Sequence, residues 1–520
     1  MYAQMTSVAL IGIDARPVEI QVQVAPGLPA FSIVGLPDKA VAESRERIRA
    51  ALHALGLGLP AKRIAVNLAP ADVPKEGSHF DLPIALALIA ACGVISADFL
   101  RDYCAFGELS LDARVCAVPG ALPAAMGAKA LGKGVICARS SGSEVAWAAA
   151  DQDIIAGETL IDVLNHAKGV QSLARPKPQV VDLHAETGPC LGDVRGQETA
   201  KRALEVAAAG GHNILFIGPP GAGKSMLAAR LPGLLPPLQP AELLELAMVR
   251  SLAGDMTQTG MSAARPFRAP HHSASMAALC GGGVRPKPGE IALAHHGVLF
   301  LDELPEFNPN VLDALRQPLE TRSISVARAN HRVTYPANVQ LIGAMNPCRC
   351  GNSRPGTPCR GGRSCQDRYV ARLSGPLLDR IDMLIHVEAL SIQDLAARNG
   401  GETSRTVAAR VATARQEQMR RYTPSERSGL ALSQPDVSVT NASIATAQLE
   451  ATANCNGAAH AILIDGATKF GLTARGYHRT LRVARTIADL ACSPDIKQHH
   501  VAEALSYRQT INAPREMTAA

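Results

Sequence analysis

The sequence predicts an α/β protein with a parallel-sheet core, an α+β domain ahead of it and a helical lid behind it. Three stretches carry that expectation. Asn213 to Ser225, NILFIGPPGAGKS, joins four apolar residues to a glycine-rich turn and a short helix that should end near Pro232. Val298 to Glu303, VLFLDE, is a second apolar run ending in two acids. Apolar runs of this length read as buried strands. Between Gly471 and Arg485 the residues Arg475, Arg479, Arg482 and Arg485 recur at steps that a helix places along one face.

At 520 residues the chain has room for three or four domains. Apolar residues make up 47% and charged residues 19%, enough for an ordinary core. The formal charge of +6 is mild, so a nucleic-acid surface has to come from local clustering. Aromatic residues are only 3%, which argues for backbone contact rather than base stacking. No run approaches the length of a membrane span, and the N-terminal stretch lacks a basic leader followed by a sustained apolar segment. A cytoplasmic protein without a membrane partner is expected. Of twelve cysteines, eight are scattered singly and four cluster, a pattern closer to a metal site than to a disulfide framework.

Residues 1–168 alternate strand-like segments (Val18 to Val24, Ile64 to Leu68) with helical ones (Lys39 to Leu55, Leu82 to Cys92) and hold no catalytic motif of their own. Residues 169–190 are rich in proline and poor in periodicity, a semi-rigid linker candidate. Residues 191–390 form the core. Its first helix places Ala200, Ala203, Leu204, Ala207 and Ala208 on one face and closes at Gly210 and Gly211. Residues 391–412 are expected to connect, and 413–520 to make the lid.

The chemistry follows from the spacing. Gly218, Pro219, Pro220, Gly221, Ala222, Gly223, Lys224 and Ser225 make a P-loop, in which backbone N–H groups turn toward phosphates and the helix N-terminus adds a positive dipole end. Lys224 neutralises phosphate charge and Ser225 can ligate Mg²⁺. Asp302 would hold the Mg²⁺ and Glu303 would activate water, so ATP and Mg²⁺ are the expected cofactors. A further strand from Val339 to Ala344 leads to Asn346, placed to orient water or sense the γ-phosphate. As a solitary feature the acidic strand end could face solvent.

These parts stand in the order of an AAA+ ATPase, and three phrases narrow the resemblance: Arg265 to His272 (RPFRAPHH), Pro288 to Gly297 (PGEIALAHHG) and Met345 to Cys348 (MNPC). Together they resemble the ComM/YifB Mg-chelatase-like family across nearly the whole chain. The N-terminal stretch around Pro74 to Pro83, with Gly107 to Ser110 and Val118 to Leu122, resembles the Lon-protease-like fold. On that pattern His79 falls at the nucleophile position and Pro123 at the lysine position, so the domain is expected to be a non-proteolytic scaffold. The resemblance implies a homohexameric ring and ATP-driven branch migration of recombination intermediates in natural transformation. It also implies that Arg380 acts as an arginine finger on the neighbouring subunit's nucleotide and that Arg475 closes the lid on the γ-phosphate. Arg380 could instead form a local ion pair with Asp379 or Asp382, and Arg479 and Arg485 could lie on a solvated face.

DNA contacts are expected on two loops. Gly281 to Gly289 carries Arg285 and Lys287; Ile324 to Tyr335 reads as two short strands and resembles the hairpin whose tip faces the ring channel, offering Arg328, His331 and Arg332 to phosphates. Each is also an ordinary exposed loop in isolation. Cys348, Cys350, Cys359 and Cys365 lie within an insert, 348–365, that is too polar to form a core and has the donors of a structural Zn²⁺ knot. Reduced thiols or a redox disulfide are the alternatives. The rival functions are a protein-remodelling motor, a metal-chelatase motor subunit and a DNA-binding scaffold without motor activity.

Overall fold

The computed structural model of the protein describes residues 1–178, 181–182, 188–256, 261–283, 286–327, 332–350, 363–390, 401–422 and 439–508. The chain divides into two compact units. The first comprises Met1–Asp182, Leu244–Ser262 and Ser325–Tyr335; the second holds the rest. The division therefore does not follow a single cut, and two stretches placed in the core by sequence belong to the first unit.

The first unit is built on a mixed seven-stranded sheet. Its strands are β1 (Tyr2–Ile11), β2 (Asp14–Ala25), β3 (Ala30–Val34), β4 (Arg63–Ala69), β5 (Tyr103–Ala105), β6 (Gly134–Ala138) and β7 (Ile154–Gly157), in the order β3-β4-β2-β1-β5-β6-β7. β1 and β2 pair antiparallel from Tyr2 with Gln23 to Ile11 with Asp14, and Val18, Ile20, Val22 and Val24 all point into the core. This period of two is what a half-covered strand requires. Helix α1 (Lys39–Ala54) starts at an Asp38 cap whose side chain accepts from the Val41 N–H. Helix α2 (Asp81–Ala91) is buried all round. Its N-terminal Asp81 takes Ser44 and Arg47 as partners.

The residues at the protease-like positions have packing roles. His79 Nε2 lies 2.9 Å from the Val8 carbonyl, and its ring packs at a tilt against Phe80, centroids 4.1 Å apart. Pro123 is buried in helix α3 (Ala121–Ala130). Lys75 is fully buried and donates to the Pro70 carbonyl. Within the expected linker, Val181 and Asp182 pair in parallel with Met261 and Ser262.

The second unit carries a five-stranded, wholly parallel sheet: β8 (Ile214–Ile217), β9 (Phe267–Arg268), β10 (Val298–Leu301), β11 (Gln340–Met345) and β12 (Met383–His386), ordered β9-β10-β11-β8-β12. Ile214 to Ile217 and Val298 to Leu301 are buried throughout, as their unbroken apolar runs demand. Helix α4 (Glu198–Gly210) lays its alanine face into the same core and ends at Gly211 with φ 71°, the left-handed cap that glycine accepts without strain. Helix α5 (Lys224–Ala228) ends one turn before the expected stop at Pro232, where a separate 3₁₀ turn begins.

Helix α6 (Ser404–Tyr422) runs without a break through the boundary expected after residue 412. Helices α7 (Gly457–Lys469), α8 (Ala474–Leu490) and α9 (Gln498–Ser506) complete the unit, and Val407, Val411, Leu481, Val483, Ile487 and Val501 share one apolar cluster with the sheet. Among the described residues, no helix is long and apolar enough to cross a membrane.

Candidate functional site: a P-loop and a separate arginine face

The strands are parallel, so their C-terminal ends lie on one edge, and there the motif residues meet. Gly218 follows β8 where the chain passes beside β12; a Cβ on it would lie 2.2 Å from the Val387 carbonyl oxygen. Gly221 and Gly223 take φ values of 77° and 88°, a region closed to most side chains. The turn ends at Lys224, the first residue of α5.

Lys224 Nζ donates to the carbonyls of Gly218 (2.8 Å) and Pro219 (2.9 Å) and to Asn346 Oδ1 (3.1 Å). Asn346, which follows β11, thus reaches the loop from 122 residues away. Burial pulls the Lys224 pKa down, while Asp302 and Glu303 hold it up. Ser225 Oγ donates to Asp302 Oδ2 at 2.6 Å. A hydroxyl and a carboxylate so close are the hard-oxygen pair that Mg²⁺ takes while keeping its waters. Glu303 sits at φ 51° and donates its N–H to Asp302 Oδ1 (2.9 Å).

Two contributors went unnoticed in the sequence. His272 Nδ1 lies 3.3 Å from Glu303 Oε2, and its ring packs at a tilt against His271 at 4.0 Å and edge-on to Phe307 at 6.5 Å. The paired histidines of RPFRAPHH, just beyond β9 beside the acid-bearing strand, were the available signal. Gln197 Nε2 donates to the Ala222 carbonyl (3.3 Å) and the Glu388 carbonyl (2.6 Å), tying the loop to the chain beyond β12.

Arg380 and Arg475 come together elsewhere. Both face Glu320: Arg380 pairs with it directly, and Arg475 Nη2 lies 4.0 Å from Glu320 Oε1. The Arg380 guanidinium holds the Glu320 carboxyl below the usual carboxylate range. Neither Asp379 nor Asp382 is the partner of the Arg380 guanidinium among the described ion pairs. Asp382 instead binds Arg479 and the Asn213 N–H, and Asn213 Nδ2 donates to the Arg380 carbonyl, so the backbone bearing Arg380 is anchored to the start of β8. The partner described for Arg475 is Glu320 rather than a P-loop residue. Its side chain is 65% exposed, and its one described ion pair is with Glu320.

The solvated-face reading of the lid arginines also fails. Arg485 is fully buried, bonded to Asp489 and to the carbonyls of Ala453, Ser493 and Pro494. A guanidinium has five N–H donors, and this one finds fixed acceptors because α8 packs between α6 and α9.

Residues 190–395 match the model of magnesium chelatase subunit ChlI, with residues 20–141 and 401–508 matching two further ChlI models, the latter its C-terminal part. Competence protein ComM of Haemophilus influenzae is 44% identical over 517 residues, covering 98% of each chain. The chain belongs to the ComM/YifB Mg-chelatase-like family. The YifB protein of Escherichia coli is 42% identical over 503 residues (96% of each chain), and an uncharacterized Mycobacterium tuberculosis protein is 41% identical over 508 residues (97% of this chain, 98% of that one). These relationships support an AAA+ motor with ATPase activity.

The expected DNA contacts are only partly within view. Arg285, Arg328 and His331 lie outside the described residues. Lys287 is exposed on a strand pair of Gly281–Gly282 with Lys287–Pro288, and Arg332 is exposed at the start of its strand, Arg332–Pro336, which pairs with Ser323–Ala327. Ser325 and Thr334 bridge that hairpin at 3.0 Å. Its Thr334 carbonyl lies so near Gly12 that a Cβ there would approach to 2.7 Å. Of the cysteines, Cys359 is outside the described residues. The Cys348 and Cys350 sulfurs are 3.0 Å apart, too far for a disulfide bond and closer than the roughly 3.8 Å that two thiolates keep on a tetrahedral Zn²⁺. Cys365 lies one turn before Tyr369 on helix Arg363–Val370, and the Tyr369 hydroxyl is pushed up to about 12 by burial, with Glu306, Glu303 and Cys348 adding to it. Cys348 is therefore near the helix that bears Cys365.

Proposed function

We propose that this protein is an ATP-driven DNA motor that works as a homohexameric ring, most specifically a branch-migration helicase acting on recombination intermediates during natural transformation. The observation that carries the motor reading is the junction of Lys224, Ser225, Asp302 and Asn346 on one edge of a parallel sheet. Bound Mg²⁺·ATP supplies the transferable γ-phosphoryl group and the metal charge. Gly218 to Gly223 would cradle the phosphates, Lys224, which now rests on loop carbonyls, would neutralise their charge, and Ser225 and Asp302 would hold the metal. Glu303 accepts a proton from the attacking water and His272 fixes its carboxylate. Asn346 orients that water.

Arg380 and Arg475 share Glu320 rather than the P-loop of their own chain, which supports both acting on a neighbour's nucleotide. Such an arrangement needs a ring. The name of the H. influenzae relative supports a role in competence, and exposed Lys287 and Arg332 fit sequence-independent phosphate contact, with Arg285, Arg328 and His331 proposed beside them. A structural Zn²⁺ on Cys348, Cys350, Cys359 and Cys365 is part of the proposal; four thiolates leave no open position for catalysis. The first unit serves as a non-proteolytic scaffold, since His79 and Pro123 supply neither a nucleophile nor a base.

The test is ATP-dependent resolution of labelled three-strand and four-way DNA, with Lys224→Ala and Glu303→Gln as controls. Resolution by the wild type alone supports the motor. Failure to resolve, with hydrolysis indifferent to DNA, points instead to a protein or chelatase client.

A further inference from the structure

The end of the five-stranded sheet opposite the P-loop holds a cleft of about 350 Å³. Asn213, Gly297, Gln340 and Asp382, which open or precede β8, β10, β11 and β12, line its floor. At about 3.3 Å per strand residue, the length of β8 sets it roughly 13 Å from the phosphate loop.

Five arginines and three acids face this cleft: Arg265, Arg322, Arg415, Arg479 and Arg482 against Glu242, Glu320 and Asp382. The acids are already engaged. Glu242 takes Arg265 at 2.9 Å, Asp382 takes Arg479, and Glu320 takes Arg380. Arg322, Arg415 and Arg482 have no carboxylate within 4.0 Å among the described residues. Each rests on main-chain carbonyls. Arg322 Nη2 donates to Ser443 (2.9 Å), Arg415 Nε and Nη2 both donate to Ala208 (2.9 and 2.7 Å), and Arg482 Nη2 donates to Ile444 (2.9 Å). Arg482 Nε is buried without an acceptor. Burial lowers the pKa of all three, and Arg415, with Arg265 beside it, is pushed down to about 9. All three stay charged at neutral pH and are half-buried. Glu242 and Asp382 act on Arg415 and Arg482 from beyond ion-pair distance, so each guanidinium keeps N–H groups for an anion that enters the cleft.

We propose that this cleft is a second anion site, which takes a di- or triphosphate-class oxyanion through Arg322, Arg415 and Arg482. Planar guanidiniums with free N–H groups match the oxygens of a phosphate chain. Among the described residues no Phe, Tyr or Trp lines the cleft, and His296 is the one ring there, so recognition falls mainly on the phosphates rather than on a base. The volume lies within the range of small-ligand pockets. The proposal does not rest on the motor reading, because none of these three arginines touches the P-loop residues among the described contacts.

The test uses full-length Lys224→Ala protein, which disables the P-loop, titrated calorimetrically with inorganic pyrophosphate in Mg²⁺-free, low-salt buffer. Saturable binding is expected, weakened at least tenfold by adding Arg322→Gln and Arg415→Gln. ADP in a parallel titration separates the sources: tighter binding than pyrophosphate assigns the site to a nucleotide's phosphates, equal or weaker binding to a free oligophosphate. Val339→Glu guards against a folding artefact, since Val339 lines the cleft and a carboxylate there supplies the missing charge. It should raise the melting temperature and abolish pyrophosphate binding. Absence of saturable binding, binding indifferent to the two arginine substitutions, or binding retained by Val339→Glu would each overturn the site.

Discussion

The two ends of the five-stranded sheet hold cations in opposite ways. At the C-terminal end a lone ammonium, Lys224, rests on two carbonyls of its own loop, with Asn346, Asp302 and Glu303 brought to it by neighbouring strands. At the N-terminal end the cations are guanidiniums drawn from segments as distant as Arg265 and Arg482, three of them without a carboxylate within 4.0 Å among the described residues. The first arrangement belongs to a short contiguous motif; the second exists only once helices α6 and α8 have packed. Substitution at the first end should therefore remove chemistry and spare the fold. Substitution among the arginines should separate into losses of rate and losses of stability.

The largest effect is expected at Arg380. Arg380→Ala should lower ATP turnover by on the order of 10³-fold while nucleotide binding persists, the size typical of a lost arginine finger, measurable by steady-state hydrolysis alongside equilibrium nucleotide binding. Arg485→Met probes the stability side. Removing the guanidinium leaves core carbonyls at Ala453, Ser493 and Pro494 without this donor, while Arg421 and Asn441 still hold Asp489, and should cost on the order of 3 kcal/mol in denaturant unfolding. A loss equal in rate and nil in stability would erase the distinction between the arginines.

A smaller effect comes from His212, at the turn between α4 and β8. Burial first, then Arg482, Arg479 and Arg415, depress its pKa to about 4, against the pull of Asp382. Its folded pKa lies below the unfolded one, so the unfolded chain binds the extra proton and stability falls as pH drops below the unfolded value. Acidification from pH 7 to pH 5 should cost about 2 kcal/mol through this group, and His212→Asn should flatten that slope in urea melts at the two pH values. The smallest is at His272, whose replacement by alanine should reduce kcat about tenfold with KM for ATP unchanged, since it positions Glu303 without binding substrate.

Much of this was legible in the sequence, for physical reasons that differ by region. The strand runs at Ile214 and Val298 are too apolar to face water, and Gly218 to Ser225 is a local chain geometry that needs nothing remote to define it. The two short strands expected within Ile324 to Tyr335 could be read because they lie only a few residues apart, and Ser323–Ala327 does pair with Arg332–Pro336. What could not be read depended on packing between distant segments. Arg485 looks like Arg475 in a helical repeat, yet α9 and the turn at Ser493 and Pro494 enclose one and leave the other exposed. Glu320, which gathers Arg380 and Arg475, has no local mark at all. Nor did a proline-rich stretch announce that Val181 and Asp182 would find strand partners at Met261 and Ser262.

The central claim is that one subunit's Glu303 works with another subunit's Arg380. Its most direct test is to mix Glu303→Gln protein with Arg380→Ala protein, each inactive alone, and measure ATP hydrolysis. In randomly mixed rings roughly a quarter of the interfaces pair an intact Glu303 with an intact Arg380, so activity should return to about that fraction of wild type. If the mixture stays as inactive as its components while forming mixed rings, Arg380 serves its own chain and the account of the site is wrong.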